Sequence, residues 1–572
     1  MKIVIRKIIK PLGLGLLLVH LSLPLLAQDS LMTILQGELQ RSFEALKKAP
    51  VPAYYIDYRV DDVEHAQLKT SFGSLVRSGS DKSRVLVSRV KVGTYQFDNT
   101  HPLSIDDMDD FRGGSGPSDL TYENNPVAVR MALWSTTQSE YKQALRGFKA
   151  ARQAKERITS QPPSTTDDFS QEQPTTYYEP PQPSLASRFE TAVWTEKLKK
   201  YSALFLKNTD LLEGDVSLQF TSQRKYFLTT ENTHIVQNNT SAYIYVNSSV
   251  RATDGDIIPL HISYYAVTPA GFPSDEKIMS DIEKMIATLE KLKTAPLAEP
   301  YSGPAILLAP AAGVFFHEIF GHRVEGHRMK KEYDGHTFKA KINEYVLPKT
   351  LQVYFDPTLS EIDGKPLNGG FKYDDEGIKS QRVTVVDKGM LKTFLMSRTP
   401  LENLSHSNGH GRASLGMEPV SRQSNLIVET TKGVSMDELR KMLVKECKRQ
   451  GKPYGYLFRD VVGGFTITDR YNPNAFNIFP TVVYRIYADG RADELVRGVD
   501  LIGTPLAMFA EIQATGNDRD TFIGFCGAES GYVPVSAASP SLFVRRIETQ
   551  KKPKQHQEAT LLARPGTIQP HP

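Results

Sequence analysis

Ala305-Ile306-Leu307-Leu308-Ala309-Pro310-Ala311-Ala312-Gly313-Val314-Phe315-Phe316-His317-Glu318-Ile319-Phe320-Gly321-His322 is the stretch on which the reading of this chain turns. It opens as an apolar strand, is punctuated at Pro310, and continues through Gly313-Val314-Phe315-Phe316 into a His-Glu dipeptide and a second histidine. Such a group supplies two imidazole ligands and a carboxylate able to take a proton from metal-activated water. His317 and His322 are therefore candidate metal ligands, and Glu318 is a candidate general base.

The spacing is unusual. Histidines four apart lie about 40° out of register on an α-helix, whereas five apart they lie about 140° out of register. A shared small ion then requires a distorted turn, and a π-type turn near Gly321 predicts one over His317 to His322. Spacing alone does not separate a metal site from a coincidental histidine pair on a buried helix. A catalytic zinc site also needs a third protein ligand and an open position. Glu325, His327, His336, His406, His410, Cys447 and Cys526 are the candidates. Cys447, within Lys445-Glu446-Cys447-Lys448-Arg449, reads as part of a solvated or interface face. Cys526 lies among glycines in Gly524-Phe525-Cys526-Gly527-Ala528-Glu529-Ser530-Gly531, where close backbone approach can present a thiolate. It is the better cysteine, with His327 still open.

Working outward, Leu351 to Phe355, Arg382 to Asp387, Met390 to Met396, Ser424 to Glu429, Tyr456 to Ile467 and Val482 to Ala488 are strand-like. A hairpin signal stands at Tyr487 to Arg491, and one helix, Ser435 to Gln450, starts with a capping box at Ser435 and Glu438. On the N-terminal side, helical spacing covers Leu31 to Lys48, Ala128 to Arg157, Ala192 to Lys207 and Ser274 to Lys293. Strands are expected at Ala53 to Val60, Ala66 to Arg77, Ser83 to Phe97, Val216 to Thr229, Ser241 to Arg251 and Ile257 to Ala266. Residues 160–184, rich in Pro, Gln, Ser and Thr, read as a mobile loop. The expected architecture is α+β, with an N-terminal α+β domain over 28–298, a β-rich C-terminal domain over 299–548 carrying the metal site, and a disordered tail over 549–572.

The 572 residues are too many for one compact core. Lys2, Arg6, Lys7 and Lys10 precede an apolar run from Leu12 to Leu26, so residues 1–27 read as a secretory signal cut after Ala27, with an uncleaved anchor as the lesser alternative. Those four basic residues account for the whole formal charge of +4. The pI of 8.6 therefore argues for no nucleic-acid partner. Two cysteines are too few for a disulfide scaffold, though a Cys447–Cys526 pair is the rival to a metal role. Beyond residue 27 no apolar run has membrane-spanning length, so stable membrane insertion after cleavage is not expected.

The run Gly303 to Pro310 through Gly313, followed by His317-Glu318-Ile319-Phe320-Gly321-His322 and Glu325-Gly326, resembles the metal-binding segment of the TldD/PmbA family. Further matching motifs are Tyr373-Asp374-Asp375-Glu376-Gly377, Val386 to Leu391, Leu495 to Gly498 with Leu501 to Gly503, Thr515 to Asp518, and Cys526-Gly527 with Val533 to Val535. They fall in order over about residues 300 to 548. The resemblance implies an α+β N-terminal domain, a β-rich C-terminal domain and zinc-dependent cleavage of unstructured peptides. It carries the Zn2+ ligand role to His317, His322 and Cys526 and the base role to Glu318. It also implies a homodimer, or a heterodimer with a paralogue lacking the motif. Two departures stand out: the export signal, where the family's members are cytoplasmic, and Cys526-Gly527-Ala528-Glu529-Ser530-Gly531 in place of Cys-Gly-Lys-x-Gly-Gln.

Exported, zinc-dependent hydrolysis of unstructured peptides, in the periplasm or outside the cell, is the function this reading expects. A non-catalytic peptide-binding or assembly subunit and a metal-dependent amidohydrolase on a non-peptide substrate are the alternatives. Three further groups each admit two readings. Asp374 to Glu376 either orient a ligand histidine or form a solvated turn. Arg412 and Arg422 either hold a peptide carboxylate or are exposed. Asn425 to Glu429 either receives a peptide by β-augmentation or is a core strand.

Overall fold

The structure is a computed structural model that describes residues 29–102, 116–157, 166–472 and 475–553. The expected signal at 1–27, the first part of the polar loop and most of the tail lie outside these residues. The fold is α+β. Among the described residues no helix is long and apolar enough to cross a membrane.

In the N-terminal half four long strands, Ser74–Val92, Ala53–Ser71, Leu211–Thr229 and His234–Arg251, lie side by side in that order, all antiparallel. Ile257–Ala266 extends this sheet beyond His234–Arg251, and Thr176–Tyr178 pairs in parallel with the start of the same strand. The three segments expected between residues 53 and 97 are thus one hairpin, turning at Phe72 and Gly73 with φ of 45° and 82°. The polar stretch Asp61 to His65 does not interrupt it because these groups find partners across the sheet; Asp61, for example, accepts from Gln223 Nε2, and Asp62 from Arg84 Nε.

Alternation sorts the two faces. Ile56, Tyr58 and Val60 pack with helices Ser30–Leu46 and Pro126–Arg157, while Ala66 and Leu68 on the same face pack under Thr191–Ala203 and Asp275–Thr294. Tyr55, Asp57, Arg59 and Asp61 point the other way and are buried too, against the C-terminal half. Arg59 donates to the carbonyls of Ser414 and Met417. Arg89 pairs with Glu376, Lys225 with Asp375, and Arg398 with Glu231. The acidic trio Asp374 to Glu376 is therefore neither a solvated turn nor a partner of a ligand histidine: Asp375 and Glu376 dock one half of the molecule on the other, while Asp374 accepts from the amides of Glu376, Ile378 and Gly411 and shapes the turn that presents them.

The polar loop also departs from its expected mobility. From residue 166 on it is tied down: Asp168 and Phe169 donate their amides to Tyr95 O, Phe169 is buried against Tyr55, and Arg398 reaches Ser170 O. Polar composition here marks backbone and ion-pair anchoring rather than freedom. The tail likewise enters late, since strand Leu542–Lys551 carries Thr549 as a buried residue bonded to Tyr301 N.

Two large sheets build the C-terminal half. In the first, Met390–Leu391, Val383–Asp387, Leu351–Phe355, Asn425–Thr430, Gly531–Ser539 and Asp520–Ala528 follow in that order, leaving Asp520–Ala528 at an edge. Asn425–Thr430 has a neighbour on each side and is a core strand, so it has no edge to offer a peptide. In the second, Tyr301–Leu307, Tyr454–Thr466, Phe476–Tyr487, Val499–Gly503 and Leu542–Lys551 pair successively, and the last pairs back with the first to close the circuit. Closure removes the free edges an open sheet would expose.

Glu376→Ala is expected to lower stability by about 3 kcal/mol, because it leaves Arg89 Nη1 and the Arg398 amide without their partner in the dock, Arg89 keeping only Asp57. Urea unfolding reads the loss, and a change under about 1 kcal/mol would show that the dock contributes little.

Candidate metal centre

Helix Ala309–Ile319 starts with Pro310 in its first turn and is buried at every position from Ala311 to Ile319. It lies between the two C-terminal sheets within one apolar core. Its end places His317 and Glu318, which are 8% and 5% exposed, at the bottom of a cavity. The chain then leaves the helix at Phe320 (φ −121°, ψ −53°) and enters a 3-10 turn over Gly321–Val324. The distorted turn expected between the histidines is thus a helix end rather than a π-type turn. Once His322 is off the helix, the 140° offset no longer applies, and the two rings meet at 5.1 Å between centroids.

Gly321 makes this exit possible. A Cβ there would sit 1.8 Å from Gln423 Oε1. The Gln423 amide occupies that space, donating to His317 O at 3.3 Å and lying 3.5 Å from His317 Nε2. Arg323 satisfies the end of the helix by donating to Glu318 O at 2.8 Å and to Thr466 Oγ1 at 2.7 Å.

Strand Asp520–Ala528 brings Cys526 over the histidines. The ligand atoms of His317, His322 and Cys526 lie within 4.8 Å of one another, and Cys526 Sγ is 3.4 Å from His322 Nε2. Tetrahedral N and S ligands around one ion stand about 3.3–3.7 Å apart, so this trio fits a metal with little adjustment. Glu318 faces the same point: its Oε2 is 4.0 Å from His322 Nε2, buried and without a hydrogen-bond partner.

Charge around the trio favours metal binding. Burial would raise the Cys526 thiol, but His322 and His317 outweigh it and hold Cys526 well below its usual range, toward the thiolate that binds metals. Burial would lower His322, but Cys526 and Glu325 raise it well above an ordinary imidazole. Glu318 is pushed up by burial, a shift the two histidines only partly oppose. Glu325 is drawn down to about 2, since His322 and Arg328 outweigh its burial.

The other proposed third ligands fall elsewhere. Glu325 accepts from His322 Nδ1 at 3.2 Å, which leaves Nε2 free to face Cys526. Its backbone is clamped because Leu395 N donates to Val324 O and Gly326 N donates to Leu395 O. His327 Nε2 donates to Glu529, and burial holds this imidazole down at about 4. His336 and His410 bond Lys331 O and Ser424 Oγ, and His406 is exposed beside Glu172. Cys447 is fully buried beside Ile306, Leu439 and Leu443, not on a solvated face, and its thiol is pushed up to about 11. Both cysteines are free thiols.

Arg412 and Arg422 are buried rather than exposed. Arg412 donates to the carbonyls of Gln423 and Pro534. Arg422 holds the metal strand: Nη2 donates to Cys526 O at 2.5 Å and to Cys526 Sγ at 3.2 Å, Nη1 donates to Ser530 Oγ and Gly531 O, and Nε lies 3.4 Å from Glu325. One guanidinium thus ties the thiolate to the carboxylate that orients His322. Gln423 was outside the sequence reading altogether; its signal was the glycine opposite it.

Residues 300–551 match the family model described as the PmbA/TldA metallopeptidase C-terminal domain. The C-terminal domain belongs to the TldD/PmbA family. Among curated relatives, a metalloprotease of Archaeoglobus fulgidus is 32% identical over 273 residues, 47% of this chain and 57% of that protein. A zinc metalloprotease TldD homolog of Saccharolobus solfataricus is 24% identical over 336 residues, 57% of this chain and 68% of that protein. The chain thus spans less than two thirds of the Archaeoglobus relative. The solved structure of TldE from Thermococcus kodakarensis superposes with a TM-score of 0.60 over 91% of this chain and all of that one, at 13% identity, which is a likeness of fold.

Glu325→Gln and Arg422→Met are each expected to weaken metal binding by about 10- to 100-fold. Competition against a chromophoric chelator measures it, in protein whose circular dichroism matches the parent. Unchanged affinity in both variants would remove these residues from the support of the site.

Proposed function

We propose that the chain is an exported zinc metallopeptidase that hydrolyses peptide bonds in unstructured polypeptides. The observation that carries this reading is the position of Glu318, a buried carboxylate with a free oxygen 4.0 Å from the imidazole nitrogen that also faces Cys526. A site built only to hold a metal has no use for such a group. Its donor set of two imidazoles and a thiolate suits zinc.

When bound by His317, His322 and Cys526, zinc supplies Lewis acidity toward a carbonyl oxygen and toward water. Glu318 takes the proton from the attacking water and returns it to the leaving amine, and its raised pKa brings it nearer the working range of a general base. Glu325 holds His322 in the tautomer that presents Nε2, and Arg422 holds the thiolate and tempers its charge. The cavity, about 290 Å³, is bordered by Asp520–Ala528, an edge strand along which an extended peptide can lie. A cavity of this size excludes folded protein and takes a loose segment.

Glu318→Gln is expected to keep its metal and lose about a hundred- to ten-thousand-fold in cleavage of an unfolded polypeptide. His322→Ala and Cys526→Ala are expected to lose metal and activity together. Elemental analysis and a labelled-casein assay read both. Protein that binds but does not cut such chains would make this a binding subunit, and cleavage confined to a non-peptide amide would make it an amidohydrolase.

Export rests on the basic and apolar leader, and pairing with a second copy or a motif-lacking paralogue rests on the family of the C-terminal half. Intact-mass measurement of envelope-derived protein is expected to start the chain at Gln28. A chain that retains residues 1–27 and stays with the cytoplasmic fraction would overturn export.

A further inference from the structure

The walls of the metal cavity are not chemically uniform. Arg328 and Glu529 line it, and their charges are already spent. Arg328 pairs with Glu325 and Glu529, and Glu529 also takes His327 and lies 3.5 Å from Lys331. A charged substrate side chain therefore finds no unpaired opposite charge among them.

The cavity is also lined by Phe465, from strand Tyr454–Thr466, and Phe525, from Asp520–Ala528, each 47% exposed. Scattered exposed apolar residues are ordinary, but two phenylalanines bordering one cavity beside a metal trio form a binding feature. Each ring is braced from behind. Phe465 rests on Phe479 at 5.8 Å, and Phe525 rests on Tyr243 at 5.3 Å. Tyr243 is itself held, stacked on Tyr245 at 5.8 Å, next to Tyr265 at 5.2 Å, and near Asn368 Nδ2 at 3.3 Å. The two rings are thus kept open in advance of binding, which spares the ordering cost. Gly464, beside Phe465, lets the strand come close to Glu318: a Cβ there would lie 2.7 Å from Asn477 O and 2.9 Å from Glu318 Cγ.

We propose that Phe465 and Phe525 form an apolar subsite that selects peptides carrying a large aromatic or aliphatic side chain beside the bond presented to Glu318. The proposal rests on the peptidase reading and deepens it. Folded proteins bury residues of this type, so the subsite reads unfolding directly: its ligand becomes available only when a chain has lost its core.

The test uses zinc-loaded Glu318→Gln protein and fluorescein-labelled, unstructured Gly/Ser peptides that differ only in a central Phe, Ala or Asp. Anisotropy is expected to give the Phe peptide an affinity on the order of ten- to a hundred-fold above the Ala and Asp peptides. Phe465→Ala and Phe525→Ala, added to Glu318→Gln, should each reduce that preference, and the double variant should abolish it, with zinc content and thermal midpoint near the parent's because both side chains are half exposed. Equal affinity for the three peptides, binding of none included, or a preference that survives in the double variant, overturns the subsite. Hydrolysis of the same peptides by the unsubstituted enzyme separates the two readings. Phe-dependent binding without cleavage removes the peptidase and leaves the subsite, whereas cleavage without preference does the reverse.

Discussion

The site depends on burying a thiolate. Cys526 is 2% exposed and carries its charge where water cannot solvate it, so opposite charge has to be built around it. His322 and His317 provide most of it, Arg422 adds to it at 3.2 Å, and the same guanidinium reaches Glu325, which in turn holds His322 and Arg328. Each member is fixed by the next, and removing one strands the others. This circle explains why Arg422, Gln423 and Ser424 follow one another directly ahead of a core strand: the strand positions them, and they position the loop, the helix end and the cysteine.

The dock between the halves follows the same rule at larger scale. The inner face of the N-terminal sheet is lined by Asp57, Arg59, Asp61 and Arg89 rather than by aliphatic residues, and it meets Asp375, Glu376 and Arg398. An apolar contact would tolerate sliding, whereas paired charges and directed hydrogen bonds specify one arrangement. The sheet and the metal half are therefore registered by electrostatics, with Tyr243 and Phe525 touching at one margin of that contact.

Much of this was legible in the sequence. Strands Ile257–Ala266 and Leu351–Phe355 and helix Met436–Arg449 follow local periodicity and caps, and the trio His317, His322 and Cys526 does meet in space. What escaped was set by tertiary partners. Asp61 to His65 looked like a break because their partners lie on other strands, and residues 166–184 looked free because their anchors, Tyr95 and Arg398, are remote in the chain. Cys447 was misplaced because its helix has charged residues on either side of a narrow apolar stripe. Met390 to Met396 reads as one strand, yet only Met390–Leu391 pairs in a sheet, while Leu395 bonds the loop that carries Glu325.

The closed circuit of strands bears on how the molecule comes into being. Tyr301 and Thr549, bonded neighbours in the finished ring, are 248 residues apart in sequence. The strand that opens the C-terminal half therefore cannot be sealed until the last segment of that half has been made. Contacts of such long range are slow to form and pay their loop-closure entropy before any reward. A nascent chain with this topology stays threadable until that last segment emerges, and the metal cavity, lined by residues from His317 to Glu529, is complete only once Asp520–Ala528 has been made.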